Sequence, residues 1–276
     1  MNYIQYNFTV TPSEPGADIL IACLGDLGFE SFESSETGFI AYLPEGSDPD
    51  KEIQNFKFDD FTFSFFKKNI EQVNWNEEWE KNFSPVIVSD NCIIRAPFHN
   101  IEKNYQYDII ITPKMSFGTG HHDTTRLVCK NMLEKDFQNK TVLDMGCGTG
   151  VLAILAEKLG AKDILGIDID DWSVENAIEN CKDNHCQNIS IQKGNSTLLT
   201  KKDHYDIILA NINKNVLKAD IPTYASNLKT GGSLFLSGFF KTDCDELITL
   251  VSNHYLKLNK TESSNDWAVL ILEKTQ

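Results

Sequence analysis

The period of the hydrophobic pattern changes repeatedly along this chain. Over Tyr3–Val10, apolar and polar residues alternate as in a half-buried strand. Pro12, Ser13 and Pro15 then open a helix carrying Ile19, Leu20, Cys23, Leu24 and Leu27, and Gly28 stops it. Phe29–Phe32 and Gly38–Leu43 read as two strands joined by the polar turn Glu33–Thr37. Pro49–Phe56 reads as a short helix and Phe61–Phe66 as another strand. The order β-α-β-β-α-β is that of a ferredoxin-like split βαβ unit. Trp75, Trp79 and Phe83 then fall at i, i+4 and i+8, so a short connecting helix has one aromatic face, and Pro85 ends it.

From Val86 onward strands and helices alternate. Val86–Val88 and Cys92–Ala96 read as a hairpin, and Tyr107–Thr112 as an apolar strand. The loop Pro113–Gly120 follows, and Asp123 or Thr124 starts a helix through Leu133. Thr141–Asp144 is a central strand, followed by a helix over 150–159. Further strands are expected at Asp163–Asp168, Ile189–Gln192, Tyr205–Ala210 and Ser233–Ser237, with a helix over 171–184 between the first two. Lys214–Leu228 is helical in pattern with Pro222 inside, where a kink or break is expected. A helix over Asp243–His254 precedes a final antiparallel pair, Leu256–Lys260 and Ala268–Glu273. Successive β-α units predict a doubly wound α/β fold with a mostly parallel sheet.

At 276 residues the chain is long for one core. The pattern divides it into a small α+β domain (1–70), a helical connector (71–84) and a large α/β domain (85–276). No apolar run approaches the ~18 residues of a membrane span, and MNYIQYNFTV lacks the basic and apolar regions of a secretory signal. The seven cysteines are scattered and form no CxxC pair. Free thiols in a reducing cytoplasm are the expectation. Forty acidic residues stand against 25 basic ones, and only two of the latter are arginines, Arg95 and Arg126. Nucleic-acid binders neutralise phosphates with clustered Lys and Arg, and no such cluster occurs here. Residues 1–70 hold 12 acidic residues against 4 lysines. That balance suits a basic partner presented by this domain. No long apolar stripe calls for a dimer.

Candidate chemistry concentrates around VLDMGCGTG, Val142–Gly150. A strand ends at Asp144, Gly146, Gly148 and Gly150 follow at alternate positions, and a helix begins at once. In an open α/β sheet this is where a nucleotide-like ligand meets the strand ends. The spacing is GxGxG rather than the GxGxxG of nicotinamide sites, and no GK[ST] follows as in a P-loop. S-adenosylmethionine carries no phosphate. It needs close backbone and a carboxylate in reach of its ammonium, and the Asp144 turn offers both. Asp168 ends the next strand, where ribose hydroxyls are gripped in Rossmann-type sites. Asp170 and Asp171 read as the cap of the following helix. Asn211 directly follows YDIILA at a strand's carboxyl end. Its amide oxygen can accept from an attacking amine and aim the amine's lone pair, while Asn213 is the better cap for the helix behind it. The loop Phe117–Thr125, FGTGHHDTT, is supple at Gly118 and Gly120 and offers the hydroxyls of Thr119, Thr124 and Thr125. His121 and His122 diverge and have no ligand partners at metal spacing, so no metal is expected.

Together these residues resemble the class I S-adenosylmethionine-dependent methyltransferases. FGTGHHDTT followed by KTVLDMGCGTGVLAI, then GIDID, then LANIN is similar to the ribosomal protein methyltransferase A (PrmA) family. The resemblance covers most of 75–276 and is weaker in the connector and small domain. It implies a seven-stranded Rossmann-like sheet and S-adenosyl-L-methionine as cofactor. It also implies methylation of lysine ε-amines and/or the N-terminal α-amine of large-subunit ribosomal protein eleven. By position it implies cofactor contacts at Thr125, Gly146, Gly148, Asp168 and Asn211, with Asn211 also the catalytic residue. Two departures lie at the rim of the substrate slot. Many members have Thr and Pro where this chain has His121 and Asp123, and a hydrophobic residue where it has Asn213. The alternatives are a class I methyltransferase for another protein or a small molecule, and a non-catalytic S-adenosylmethionine-binding ribosome-assembly factor. The absence of an NPPY-type tetrad argues against an enzyme for glutamine amides or exocyclic nucleobase amines.

Overall fold

In the computed structural model, which describes residues 3–70, 80 and 82–276, the chain divides into two compact units, Met1–Asn82 and Phe83–Gln276. The helix expected at Trp75 and Trp79 lies outside the described residues.

The N-terminal unit runs β1 (Tyr3–Thr11), α1 (Gly16–Asp26), β2 (Ser31–Ser35), β3 (Gly38–Pro44), α2 (Asp50–Gln54) and β4 (Thr62–Ile70). Its strands form one antiparallel sheet in the order β2-β3-β1-β4. Alternation sets the faces. Tyr6, Phe8 and Val10 of β1 turn inward, where Leu20 and Leu24 of α1 and Ile53 of α2 complete the core. Phe8 stacks on Phe39 with ring centroids 4.9 Å apart. Strand β2 sits later than the pattern placed it. Ser35 pairs with Gly38, so the turn shrinks to Glu36–Thr37, and Phe29 is buried just ahead of the strand.

The larger unit opens with a three-stranded sheet of β5 (Val86–Ser89), β6 (Cys92–Arg95) and β7 (Tyr107–Ile110), in the order β5-β6-β7. Helix α3 (Asp123–Met132) follows. The chain then builds β8 (Thr141–Met145), α4 (Val151–Lys158), β9 (Asp163–Asp168), α5 (Asp171–Asp183), β10 (Ile189–Lys193) and β11 (Tyr205–Asn211). It ends with α6 (Lys214–Asn227), β12 (Leu228–Phe240), α7 (Cys244–Ser252), β13 (Leu256–Ser264) and β14 (Trp267–Lys274). The seven strands β8–β14 lie in the order β10-β9-β8-β11-β12-β14-β13. Strands β8 to β12 run parallel, and β14 is antiparallel to both its neighbours.

Successive residues of the central strands point into opposite layers, which is why these strands read as continuous apolar runs. Val142, Ile207 and Leu209 face α3 and α4, and Leu143, Ile208 and Ala210 face α6 and α7. Helix α6 runs without a break through Pro222; the missing N–H leaves only the Lys218 carbonyl without its helical partner. Strand β12 starts earlier than expected. Tyr205 pairs with Leu228 and Ile207 with Ser233, so the segment between Leu228 and Ser233 bulges out of register and the strand continues beyond it. Among the described residues no helix is long and apolar enough to cross a membrane.

Candidate active site

The carboxyl ends of β8, β9, β10 and β11 open onto a cleft of about 530 Å³ in the larger unit. Gly146 and Gly148 line it, both in the left-handed region, at φ 71° and 52°. A glycine is required at 148 for a second reason. A Cβ there would lie 2.2 Å from the carbonyl oxygen of Phe117, because the FGTG loop packs directly on the turn. Thr149 fastens the two together. Its N–H donates to Phe117 O at 2.9 Å and its hydroxyl to Gly118 O at 2.7 Å.

Asp168, 8% exposed, lines the cleft at the end of β9. One carboxylate oxygen accepts the Gly148 N–H at 2.8 Å and the other the Asp170 N–H at 3.1 Å. Each oxygen keeps a second lone pair for a hydroxyl donor. Asp170 stands at the N-terminal boundary of α5, but its side chain makes no capping bond.

Asp144, the acidic residue of the glycine motif, is not part of the cleft lining. It is 1% exposed, and one carboxylate oxygen accepts the Ala153 N–H of α4 at 3.1 Å, while the other has no partner among the described residues. Burial pushes its pKa up to about 7, the Ala153 N–H opposes that rise, and the nearby Asp168 charge adds to it. The carboxylates that do line the cleft are Asp168, Asp170 and Asp220.

Asn211, the last residue of β11, lines the cleft from the other side. Its Nδ2 donates to the Thr125 hydroxyl at 3.5 Å. Its amide oxygen is buried and, among the described residues, has no partner. A buried acceptor left unmatched is costly, so it stands ready for a donor brought by a ligand. Thr125 is fully buried in the first turn of α3 and does not line the cleft; its neighbour Thr124 does. Asn213, not Asn211, caps α6, with its side-chain oxygen accepting the Val216 N–H at 3.2 Å.

His122 caps α3. Its Nδ1 accepts the Thr124 N–H at 3.3 Å. Burial lowers its pKa and the Arg126 cation adds to that, which favours the neutral ring, and with Nδ1 accepting, the proton of that neutral ring lies on Nε2. It meets Phe117 and Trp267 edge-on, at 5.1 and 4.6 Å between centroids. His121 faces away, with Nε2 2.9 Å from Ser84 O.

Trp267 and Asp220 are among the cleft residues that the sequence does not mark. Trp267 arrives at the start of β14, and Asp220 from the middle of α6, where it accepts from the Ser196 and Tyr224 hydroxyls at 2.7 and 3.1 Å. No local motif marks either; only the strand order and the helix placement bring them in.

Comparison with known proteins gives the family. The family model described as Ribosomal protein L11 methyltransferase (PrmA) matches residues 26–275. The ribosomal protein L11 methyltransferase of Porphyromonas gingivalis is 42% identical, covering 98% of this chain and 97% of its own. That of Phocaeicola vulgatus is 40% identical, covering 98% of each. The crystal structure of a ribosomal protein L11 methylase from Lactobacillus delbrueckii subsp. bulgaricus superposes with a TM-score of 0.64 at 28% identity. It covers 70% of this chain and all of that one. With the glycine turn, the FGTG loop, Asp168 and Asn211 gathered at the ends of parallel strands, and with relatives matching nearly end to end, this chain belongs to the ribosomal protein L11 methyltransferase (PrmA) family.

Proposed function

We propose that this protein transfers methyl groups from S-adenosyl-L-methionine to amines of ribosomal protein L11, the large-subunit ribosomal protein eleven. The acceptors are lysine ε-amines and/or the N-terminal α-amine. The observation that carries this reading is the buried amide oxygen of Asn211 at the edge of the cleft, which has no partner among the described residues.

The site fits the cofactor. Gly146 and Gly148 offer close backbone without side chains, Asp168 keeps lone pairs for ribose hydroxyls, and Asn211 closes the opposite side. When bound, S-adenosylmethionine supplies an electrophilic methyl group on a sulfonium. The chain's own work is positioning. A free lysine amine has a pKa of about 10.4 and an α-amine about 8, so the acceptor sheds a proton before it can attack. Desolvation beside cleft walls built from Phe117, His122 and Trp267 favours the neutral amine. Asn211 Oδ1 accepts one of the remaining N–H groups and so aims the lone pair. Thr125 contributes through Asn211: by accepting from Nδ2 it determines which end of the amide faces the amine.

In this reading the N-terminal unit, with 12 acidic residues and 4 lysines over residues 1–70, captures the basic target protein. The protein acts as a monomer in the cytoplasm and needs no nucleic-acid contact. The test is incubation with labelled cofactor and purified ribosomal proteins, with the products mapped by mass spectrometry. Label on ribosomal protein L11 amines is the expected result. Binding of the cofactor without transfer leaves an assembly factor, and label confined to other proteins or small molecules overturns the substrate.

A further inference from the structure

Helix α5 and its C-cap residue carry three asparagines, Asn176, Asn180 and Asn184, at i, i+4 and i+8. All three are buried, and their amides do the work of a missing strand. Asn184 Oδ1 accepts the Ile110 N–H at 2.9 Å and its Nδ2 donates to Ile110 O at 2.6 Å. Asn180 Oδ1 accepts the Thr112 N–H at 2.9 Å, and Asn176 Nδ2 donates to Thr112 O at 3.3 Å. Ile110 and Thr112 stand two apart, the period at which one edge of a strand offers its N–H and C=O groups. The free edge of β7 and its extension is thus paired by side chains of a helix.

Asn180 has a second connection that Asn184 lacks. Its Nδ2 donates to Thr149 O in the glycine turn at 2.9 Å. Thr149 in turn holds the FGTG loop through Phe117 O and Gly118 O. One buried amide therefore joins the strand that leads into the loop, the turn that supports the cofactor, and, through Thr149, the loop itself. Asn180 does not line the cleft, whereas Phe117 and Gly148, which pack back to back beside Thr149, both do.

We propose that Asn180 is a positioning residue for the cofactor: acting through Thr149, it holds the FGTG loop against the glycine turn so that the two form one wall before any ligand binds. The proposal rests on the cofactor reading given above. Preorganisation of this kind lowers the ordering cost of binding, so its loss is felt in cofactor affinity rather than in affinity for the protein substrate.

The experiment measures binding of S-adenosylhomocysteine to the full-length protein by calorimetry, below the melting temperature of every variant. Asn180→Asp keeps the acceptor for Thr112 and loses the donor to Thr149, placing a carboxylate against a carbonyl. Asn184→Asp makes the same change where it touches only Ile110 and its own helix. Both substitutions lower the melting temperature. Asn180→Asp weakens S-adenosylhomocysteine binding about tenfold or more and raises KM for the cofactor but not for the protein substrate, while Asn184→Asp stays within about twofold of wild type. Thr149→Val gives a loss similar to that of Asn180→Asp, and the double variant adds little, as expected for residues acting in one chain of contacts. If Asn180→Asp fails to fold, Asn180→Ser together with Thr149→Val carries the same comparison. Wild-type affinity in the Asn180 variants, an equal loss in Asn184→Asp, or additive effects with Thr149→Val overturns the proposal. A wild-type protein that binds no S-adenosylhomocysteine overturns the cofactor reading and this proposal with it.

Discussion

Asn211 gives its amide nitrogen to Thr125 and keeps its amide oxygen, buried at the edge of the cleft, without a partner among the described residues. This division of one side chain between a fixed end and an available end is what a group that orients an incoming amine requires. Asn211→Ala removes both. Turnover is expected to fall about a hundredfold, while the affinity for S-adenosylhomocysteine changes by less than tenfold. Single-turnover methyl transfer and calorimetry separate the two. Equal loss in both would make Asn211 a cofactor ligand only.

Thr125→Val tests the other half of the same contact. The valine is close in shape to threonine but cannot accept from Nδ2, so the amide is free to turn its nitrogen toward the substrate. A drop of about tenfold in kcat with little change in KM for the cofactor is expected. An unchanged kcat would show that Thr125 does not set the amide's direction.

Asp168→Asn keeps the size of the side chain but puts an NH2 group against either the Gly148 or the Asp170 N–H, both of which now donate to the carboxylate. The turn and the end of β9 are pushed apart. Cofactor affinity should fall about ten- to a hundredfold, as read by calorimetry. Retention of wild-type affinity would remove Asp168 from the site.

Asp144 ties stability to pH. Its native pKa of about 7 lies above the ordinary value of 3.8, because it is buried. The folded protein therefore holds a proton that the unfolded chain releases above about pH 4. The stability this proton contributes is whole below that pH and is lost progressively as the pH rises through about 7. Denaturant melts between pH 5 and 8 should show the decline in wild type, and Asp144→Asn should flatten it. Parallel curves for the two proteins would place the dependence elsewhere.

The exposed acidic residues Glu14, Asp18, Glu36, Asp59 and Asp60 of the N-terminal unit offer a charge test. Replacing them with their amides should raise KM for the basic protein substrate several-fold and leave kcat unchanged. The difference should shrink as salt is added. Insensitivity of KM to both charge and salt would place substrate capture outside this unit.

The repeating β-α pattern made the parallel sheet legible, because strands buried on both faces and two-faced helices have different periods. Strand ends follow from that pattern, so the cleft positions of Gly146, Gly148, Asp168 and Asn211 could be read from the chain. Thr125 could not be placed the same way. Adjacent helix residues differ by about 100° in direction, and only the His122 cap decides that Thr124 faces the cleft and Thr125 the interior. The burial of Asp144 away from the cleft lining is not legible either, because a motif names residue types, not the side of the turn on which each one falls. Asp220 and Trp267 depend on which strands lie side by side, a long-range property that no window of sequence contains. The bulge in β12 and the continuity of α6 through Pro222 are likewise outcomes of tertiary packing overriding local preference.

The strand order β10-β9-β8-β11-β12-β14-β13 also bears on how the protein is made. Strand β14 must slot between β12 and β13, and Trp267 at its start supplies part of the cleft wall. A chain that has assembled β8 to β12 already displays the glycine turn, Asp168 and Asn211, yet its pocket is still open on one flank. Closure waits for β14 to pair with β12, where Ser233 meets Glu273, a non-local pairing of the kind that forms slowly. Tight cofactor binding thus doubles as a check that folding has run to its end.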